Sequence, residues 1–383
     1  MKNQESKSSL RRILLAPDSF KESLPAARVA EAMALGLQSR LPEVECVLCP
    51  VADGGEGTLE ALVAALALSV AETIVQGPYP SMPQLAAKWG DGPSGPGWRV
   101  LEAAQVIGLE PVPIADRAPE AASSHGLGEL MLRASSDGVE ELIIALGGTA
   151  TVDGGIGALG AFGVVFLDHA GARLPCPLVG SDLSRIASCE VPDEVRRRLN
   201  AMKIRLAVDV PDSPLLGSAG AARTFGPQKG ADPEMVERLE AGMRNWAGVC
   251  SGDVEMKGAG SAGGIAFGLA TVLEASIESG VELVLEAVDF AERCREVDLV
   301  LTGEGCLDDQ SRMGKAAVRV ANIAMEHGVS TRAIVGRRAA DFGVNEPFES
   351  VVSLVEHCGS DHAMNEPFDA IRSASASIIQ PDI

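Results

Sequence analysis

A doubly wound, parallel α/β fold, with one Rossmann-like domain split by a large insert, is the architecture the sequence predicts. Three observations predict it. Buried-strand patterns alternate with amphipathic helices over roughly the first 70 residues. The same rhythm returns near residue 285, and the stretch between is richer in Gly and Pro and lacks that alternation. The expected partition is a discontinuous domain of residues 1–70 and 285–383 and an inserted, Gly-rich mixed α/β domain of residues 71–284, with an active site in the cleft between the two domains.

Arg12–Asp18 is a strand, apolar along its length and stopped by Pro17. Ser23 is the expected N-cap of the next helix and Pro25 stands in its first turn; Val29, Met33 and Leu37 give it one apolar face. Val44–Val51 is the second strand, and Thr58 caps a helix carrying Leu59, Leu62, Val63 and Leu66. From Ser69 to Arg99 only short strand-like pieces are expected. Glu141–Leu146 is a strongly apolar strand running into a glycine cluster from Gly147 to Gly160. Ile204–Asp209 is a further strand, followed by a Gly-rich stretch to Gly230, a helix from Pro233 to Val249 and a third glycine cluster from Gly258 to Gly268. The strand Val297–Thr302, the helix Lys315–His327 closed by Gly328, and the strands Thr331–Val335 and Ser350–Val355 restore the α/β rhythm. The segment Asn-Glu-Pro-Phe occurs twice, at Asn345–Phe348 and Asn365–Phe368, and each copy is expected to start a helix with Pro in the first turn.

Composition removes several functions. With 32 Lys+Arg against 53 Asp+Glu the formal charge is −21, which repels nucleic-acid phosphates and anionic lipid heads. Aromatic residues are only 3%, too few for base-stacking platforms. No run of apolar residues is long enough to span a bilayer. Met1–Ser9 is a polar tail that leads into Ile13–Ala16, too short for a signal-peptide core. The eight cysteines are scattered, and the one CxxC, Cys46 to Cys49, lies in a strand-like segment without a second pair. Reduced, buried thiols in a cytoplasmic protein, monomeric or homodimeric, are the expectation.

Ligands of doubly wound sheets bind outside the carboxyl ends of the strands. The first strand ends in Asp18-Ser19-Phe20-Lys21, the second in Asp53-Gly54-Gly55-Glu56-Gly57-Thr58, and the strand Val297–Thr302 in Gly303-Glu304-Gly305, with Asp308, Asp309 and Gly314-Lys315 beyond. Acids, glycines and lysines gathered in this way suggest oxygen ligands for a hard cation beside an anion cradle. The middle region adds two loops. Gly147-Gly148-Thr149-Ala150-Thr151-Val152-Asp153-Gly154-Gly155 offers backbone N–H groups with no Cβ in the way, and Phe225-Gly226-Pro227-Gln228-Lys229-Gly230 offers a point charge suited to phosphate. Literal GxGxxG matches at Gly155–Gly160 and Gly258–Gly263 lack the strand directly before and the acid about twenty residues on, so they are better explained by close helix packing. Gly314-Lys315 lacks the spaced Gly and the following Ser/Thr of a Walker A loop, and no GxSxG elbow occurs.

Taken together, Ala16-Pro-Asp-Ser-Phe-Lys21, Pro50-Val-Ala-Asp-Gly-Gly-Glu-Gly-Thr58, Gly147-Gly-Thr-Ala-Thr-Val-Asp-Gly-Gly155, Gly226-Pro-Gln-Lys-Gly-Ala231, Gly258-Ala-Gly-Ser-Ala-Gly-Gly264 and Thr302-Gly-Glu-Gly305 resemble the bacterial glycerate kinase family of type 1. The resemblance runs in order from Arg12 to Ile334. It implies a flavodoxin-like domain split across both termini and ATP-dependent phosphorylation of D-glycerate, most often at the 2-hydroxyl.

On that resemblance, Asp209 is the expected base and Asp53, Glu304 and Asp308 the Mg²⁺ ligands. Gly147, Gly148, Thr149, Thr151, Asp153, Gly154 and Lys229 would hold the nucleotide phosphates. Asp18, Ser19 and Lys21 would meet the glycerate, with Lys21 facing its carboxylate or the transferred phosphoryl group. The chain departs from the family pattern at Glu22, at Cys306 and in the Pro211–Pro214 loop. Two alternatives keep the same motifs: a kinase acting on another small hydroxy-carboxylate, and a catalytically silent glycerate-binding sensor.

Overall fold

The structure is a computed structural model describing residues 10–20, 23–92, 97–307, 315–339 and 347–379. Its strands, in chain order, are β1 (Arg12–Pro17), β2 (Glu45–Leu48), β3 (Ser69–Val75), β4 (Leu85–Asp91), β5 (Trp98–Glu102), β6 (Glu141–Ala145), β7 (Val165–Leu167), β8 (Ser188–Glu190), β9 (Lys203–Val208), β10 (Ser276–Ser279), β11 (Leu299–Leu307), β12 (Thr331–Arg338) and β13 (Ser350–Ser353). The chain divides into two compact units. One comprises the described residues within Met1–Asp53, Glu60–Leu66 and Val284–Ile383, and the other Gly54–Leu59 and Ala67–Leu283.

In the first unit a five-stranded sheet has the order β13-β12-β11-β1-β2, with every pairing parallel. This is the flavodoxin-like order, in which the topology switches direction between the first strand and its later-formed neighbour, here β1 and β11. β1 is buried along almost its whole length because it lies between two strands and under two layers, which is why its sequence is an unbroken apolar run. The period of two is visible in β12: Ile334 joins the core beneath the helices Ala26–Gln38 and Pro367–Ile378, while Ala333 and Val335 join a second core with Ala317 and Ala321 of the helix Ala316–Glu326. Helices therefore cover both faces.

Several local expectations are corrected. Glu304 is not at a strand end: β11 continues to Leu307, and Glu304 pairs with Val335 inside the ladder. The glycines that suggested a turn instead let neighbouring backbones approach, since a Cβ on Gly336 would lie 2.4 Å from the Gly305 carbonyl oxygen. The first helix begins at Ala26 with Pro25 in the capping position, and the Ser23 N–H closes a turn onto the Phe20 carbonyl. Thr58 is the first residue of its helix rather than the cap, its hydroxyl donating to the Gly55 carbonyl at 2.7 Å. Of the two Asn-Glu-Pro-Phe segments only the second starts a helix, Pro367–Ile378. In the first, Pro347 and Phe348 lead into β13 and the two residues before them lie outside the described residues.

In the second unit a six-stranded mixed sheet has the order β10-β9-β6-β5-β4-β3. β5, β6, β9 and β10 run parallel, and β4 and β3 are added antiparallel, so the Ser69–Arg99 region supplies two full seven-residue strands rather than fragments. Arg205 of β9 ties its neighbours together, bonding Glu141 of β6 at 3.0 Å and Glu278 of β10 at 2.9 Å. The core includes Trp246 and Phe267, from the helices Pro233–Cys250 and Ser261–Leu273. Trp246 stacks edge-on to Phe166 at 5.6 Å, and its ring N–H donates to the Gly154 carbonyl. Among the described residues no helix is long and apolar enough to cross a membrane. The eight cysteines form no disulfide with one another, and burial pushes the Cys46 and Cys49 thiols up to about 11.

Candidate active site

Strands β6 and β9 are parallel neighbours in register Ala145↔Ala207, so the segments leaving their carboxyl ends emerge side by side. β6 continues into Leu146-Gly147-Gly148, anchored by the Leu146 N–H on the Ala207 carbonyl at 3.0 Å, and Asp209 directly follows β9. Between these ends lies a pocket of about 90 Å³ whose lining includes Gly147, Gly148, Thr149, Asp209, Lys229 and Ser261. Its apolar side is formed by Leu109, Val210 and Phe225.

Gly147 must be glycine here. A Cβ would lie 2.4 Å from Gly55 Cα, and its N–H points to the Gly54 carbonyl at 3.4 Å. The same direction from Gly147 reaches Asp209 Oδ2 at 3.4 Å, which puts the carboxylate beside the glycine pair. Glu56 was not among the expected site residues. Its Oε2 is 3.7 Å from where a Gly148 Cβ would stand, and the only sequence signal for it was its place in a glycine-rich turn. Ser261, Gln228 and Phe225 also line the pocket without having been singled out.

Lys229 closes the pocket from a short helical turn, Pro227–Lys229. It is not a solvated surface lysine: only 4% of it is exposed. Nζ donates to the Thr151 carbonyl at 2.8 Å and to Thr149 Oγ1 at 3.2 Å. Burial pushes its ammonium down to about 8, against the pull of Asp153 and Asp209. A partly dehydrated cation facing a glycine-floored pocket is the physical requirement for holding phosphate oxygens.

The expected phosphate loop is thus divided. Gly147, Gly148 and Thr149 line the pocket, whereas Thr151, Asp153 and Gly154 stand behind it. Thr151 contributes its carbonyl to Lys229. Asp153 is completely buried, and its carboxylate accepts from Ser124 N and Oγ and from the Gly155 and Gly157 N–H groups. Gly154 has φ +60 and packs against Trp246 and Met243, so its conformational freedom serves the turn into the helix Ile156–Phe162.

In the first unit, Asp18 and Glu304 lie at the switch point between β1 and β11. Asp18 directly follows β1; its N–H bonds the Gly303 carbonyl of β11 at 2.9 Å, and its Oδ1 accepts from Ser19 N–H at 2.6 Å. Glu304, 5% exposed, is the next residue of β11 after Gly303. Asp53 follows β2 and is half-buried. Lys21, Glu22 and Asp308 lie outside the described residues. Among the described residues no group of three or more His, Cys, Asp or Glu side chains is assembled in a way that could hold a metal ion.

A family model described as the glycerate kinase family matches residues 13–381. The chain is 39% identical over 336 residues to a glycerate kinase from Bacillus subtilis (strain 168), covering 86% of each chain. It is 37% identical over 356 residues to a glycerate 2-kinase from Escherichia coli (strain K12), covering 91% of this chain and 92% of that one. A crystal structure from Salmonella typhimurium LT2, described as a glycerate kinase 2, superposes with a TM-score of 0.82 at 35% identity over 97% of both chains. A parallel flavodoxin-like sheet, a mixed second sheet with a lysine-closed glycine pocket, and relatives matched along nearly the whole length lead to one statement: the chain is an enzyme of the glycerate kinase family.

Proposed function

We propose that this enzyme transfers the γ-phosphoryl group of ATP to D-glycerate, at the 2-hydroxyl, by in-line displacement. The observation that carries the reading is the buried Lys229 over the glycine floor of the pocket, with Asp209 at the adjoining strand end. Phosphoryl transfer asks a protein mainly for positioning and charge neutralisation, with one group to receive the hydroxyl proton. In this reading Lys229 neutralises phosphate oxygens, and Gly147 and Gly148 allow their close approach. Asp209 accepts the proton of the attacking hydroxyl. Asp18, Ser19 and Lys21 hold the hydroxy-carboxylate.

The oxygen donors Asp53, Glu304 and Asp308 are proposed Mg²⁺ ligands, in keeping with a cation that takes few protein carboxylates and completes its shell with substrate phosphates and water. Bound there, Mg²⁺ would supply neutralisation of charge on the transferring group. The 2-hydroxyl assignment draws on the Escherichia coli relative, which is named a glycerate 2-kinase. Only Cys49 and Cys294 are buried and Cys176 is exposed, so the expectation of buried thiols holds in part; eight free thiols fit a reducing compartment such as the cytoplasm.

The test is ³¹P NMR of the product formed from ATP, Mg²⁺ and D-glycerate. Coupling of phosphorus to one carbinol proton supports the 2-phosphate, and coupling to two methylene protons identifies the 3-phosphate and overturns the regiochemistry. Turnover with other hydroxy acids but not with D-glycerate overturns the substrate.

A further inference from the structure

The Asp153 carboxylate has an unusual partner set. Oδ2 accepts from Ser124 N at 2.8 Å, Ser124 Oγ at 2.7 Å and Gly157 N at 3.3 Å, and Oδ1 accepts from Gly155 N at 3.1 Å. Ser124 Oγ itself accepts from Ala158 N at 2.8 Å, so the hydroxyl links Asp153 to the helix Ile156–Phe162. Three of the four partners are backbone N–H groups, which can only donate, and this arrangement favours the charged form of the carboxyl. Burial pushes this carboxyl upward and the four donors oppose it. A completely buried anion needs a counter-charge. The charged groups near it and around the Gln228–Gly230 turn are Lys229, Asp209 directly after β9, and Arg117, whose Nη1 donates to the Gln228 carbonyl at 3.0 Å. Of these, Lys229 is the buried cation, and it bonds the Thr151 carbonyl two residues before Asp153.

We infer that Asp153 is a positioning residue: its buried carboxylate keeps Lys229 charged and fixes the Thr149–Gly155 loop on which that lysine rests. It touches no substrate and acts through Lys229. The kinetic consequence rests on the proposed phosphate site, but the charge pairing itself does not.

Two experiments on the full chain separate these. Urea unfolding without substrates, on a double-mutant cycle of Asp153→Asn and Lys229→Met, tests the pairing. Lys229→Met alone is expected to raise the unfolding equilibrium constant at least tenfold, and to raise it less than threefold in the Asp153→Asn background. Equal costs in both backgrounds overturn the inference. Where Asp153→Asn does not fold alone, the double variant is required to fold, and its failure overturns the inference as well. Calorimetric ATP binding between pH 6 and 9 then tests the site. The alkaline loss of affinity is expected to move at least one pH unit lower in Asp153→Asn, while Ser124→Ala, which keeps the carboxylate, leaves it in place. An alkaline limb at the same pH in Asp153→Asn and wild type overturns the inference. Coupling in the unfolding cycle with no ATP binding by the wild type overturns the phosphate-site reading and leaves the pairing standing.

Discussion

Lys229 Nζ donates to the carbonyl oxygen of Thr151 at 2.8 Å, joining the loop after β6 to the turn that follows β9. The bond holds an ammonium, 4% exposed, at the wall of a glycine-floored pocket. Burial there sets the pH range over which the pocket carries its positive charge.

That charge is expected to fail above about pH 8, where the buried ammonium releases its proton. The kcat/KM for ATP should therefore fall on the alkaline side with a midpoint near 8, the free enzyme's value, and kcat with a higher one, since a bound phosphate favours the charged form. Stability moves the other way. Between about 8 and the ordinary value of 10.5 the unfolded chain holds a proton that the folded chain has lost, so the contribution of Lys229 to stability rises with pH. Parallel kinetic and urea titrations of wild type and Lys229→Met check both directions.

Asp209→Asn is expected to lower kcat by about 10²–10⁴-fold, the usual range for a general base. The side chain is exposed, so the melting temperature should move little. Steady-state kinetics beside thermal unfolding makes the comparison, and a near wild-type kcat removes Asp209 from the role.

Gly147→Ala places a Cβ 2.4 Å from Gly55 Cα, backbone that cannot rotate away. A loss of about 1–3 kcal/mol in stability is expected, together with weaker ATP binding. Gly248→Ala is the control: it is exposed on the helix Pro233–Cys250, a new Cβ meets nothing within 4 Å, and a gain of about 0.5–1 kcal/mol is expected. Urea titration of both variants reads the difference in sign.

Arg99 is buried between Asp91 at 2.6 Å and Asp137 at 2.9 Å and lies over the Trp89 ring at 4.6 Å. Removing its charge as Arg99→Met is expected to cost about 2–3 kcal/mol at pH 7, the scale of a hydrogen-bonded charged pair. Burial acts to raise the Asp137 carboxyl, but the hydrogen bonds from Arg99 and Arg133 outweigh it and hold the group low. The stability this gives is present above the ordinary value of 3.8 and is lost as pH falls below it, so the cost of Arg99→Met should shrink in acid. Unfolding at pH 7 and pH 3.5 measures the change.

The alternation of apolar strand and amphipathic helix was legible at both ends of the chain because β1 and β12 are buried on both faces. Glu304 was misplaced because glycine marks both a turn and a close approach of strands, and only the pairing of β11 with β12 separates the two. Lys229 was legible as a candidate charge, but its burial depends on Thr149 and Thr151, 80 and 78 residues away, which no local pattern encodes. Asp153 was legible as part of a glycine loop; that its carboxylate faces inward, to Ser124, depends on a helix whose residues lie earlier in the chain. Glu56 shares its glycine turn with Asp53, and the turn alone does not say which of the two acids meets the Gly147-Gly148 loop.

The most direct measurement is ADP release from ATP and Mg²⁺ in the presence and absence of D-glycerate. Release that requires all three, saturates with D-glycerate and is lost in Asp209→Asn is the result this account predicts. Release unaffected by D-glycerate, or no release from protein that still binds it, contradicts the proposed phosphoryl transfer.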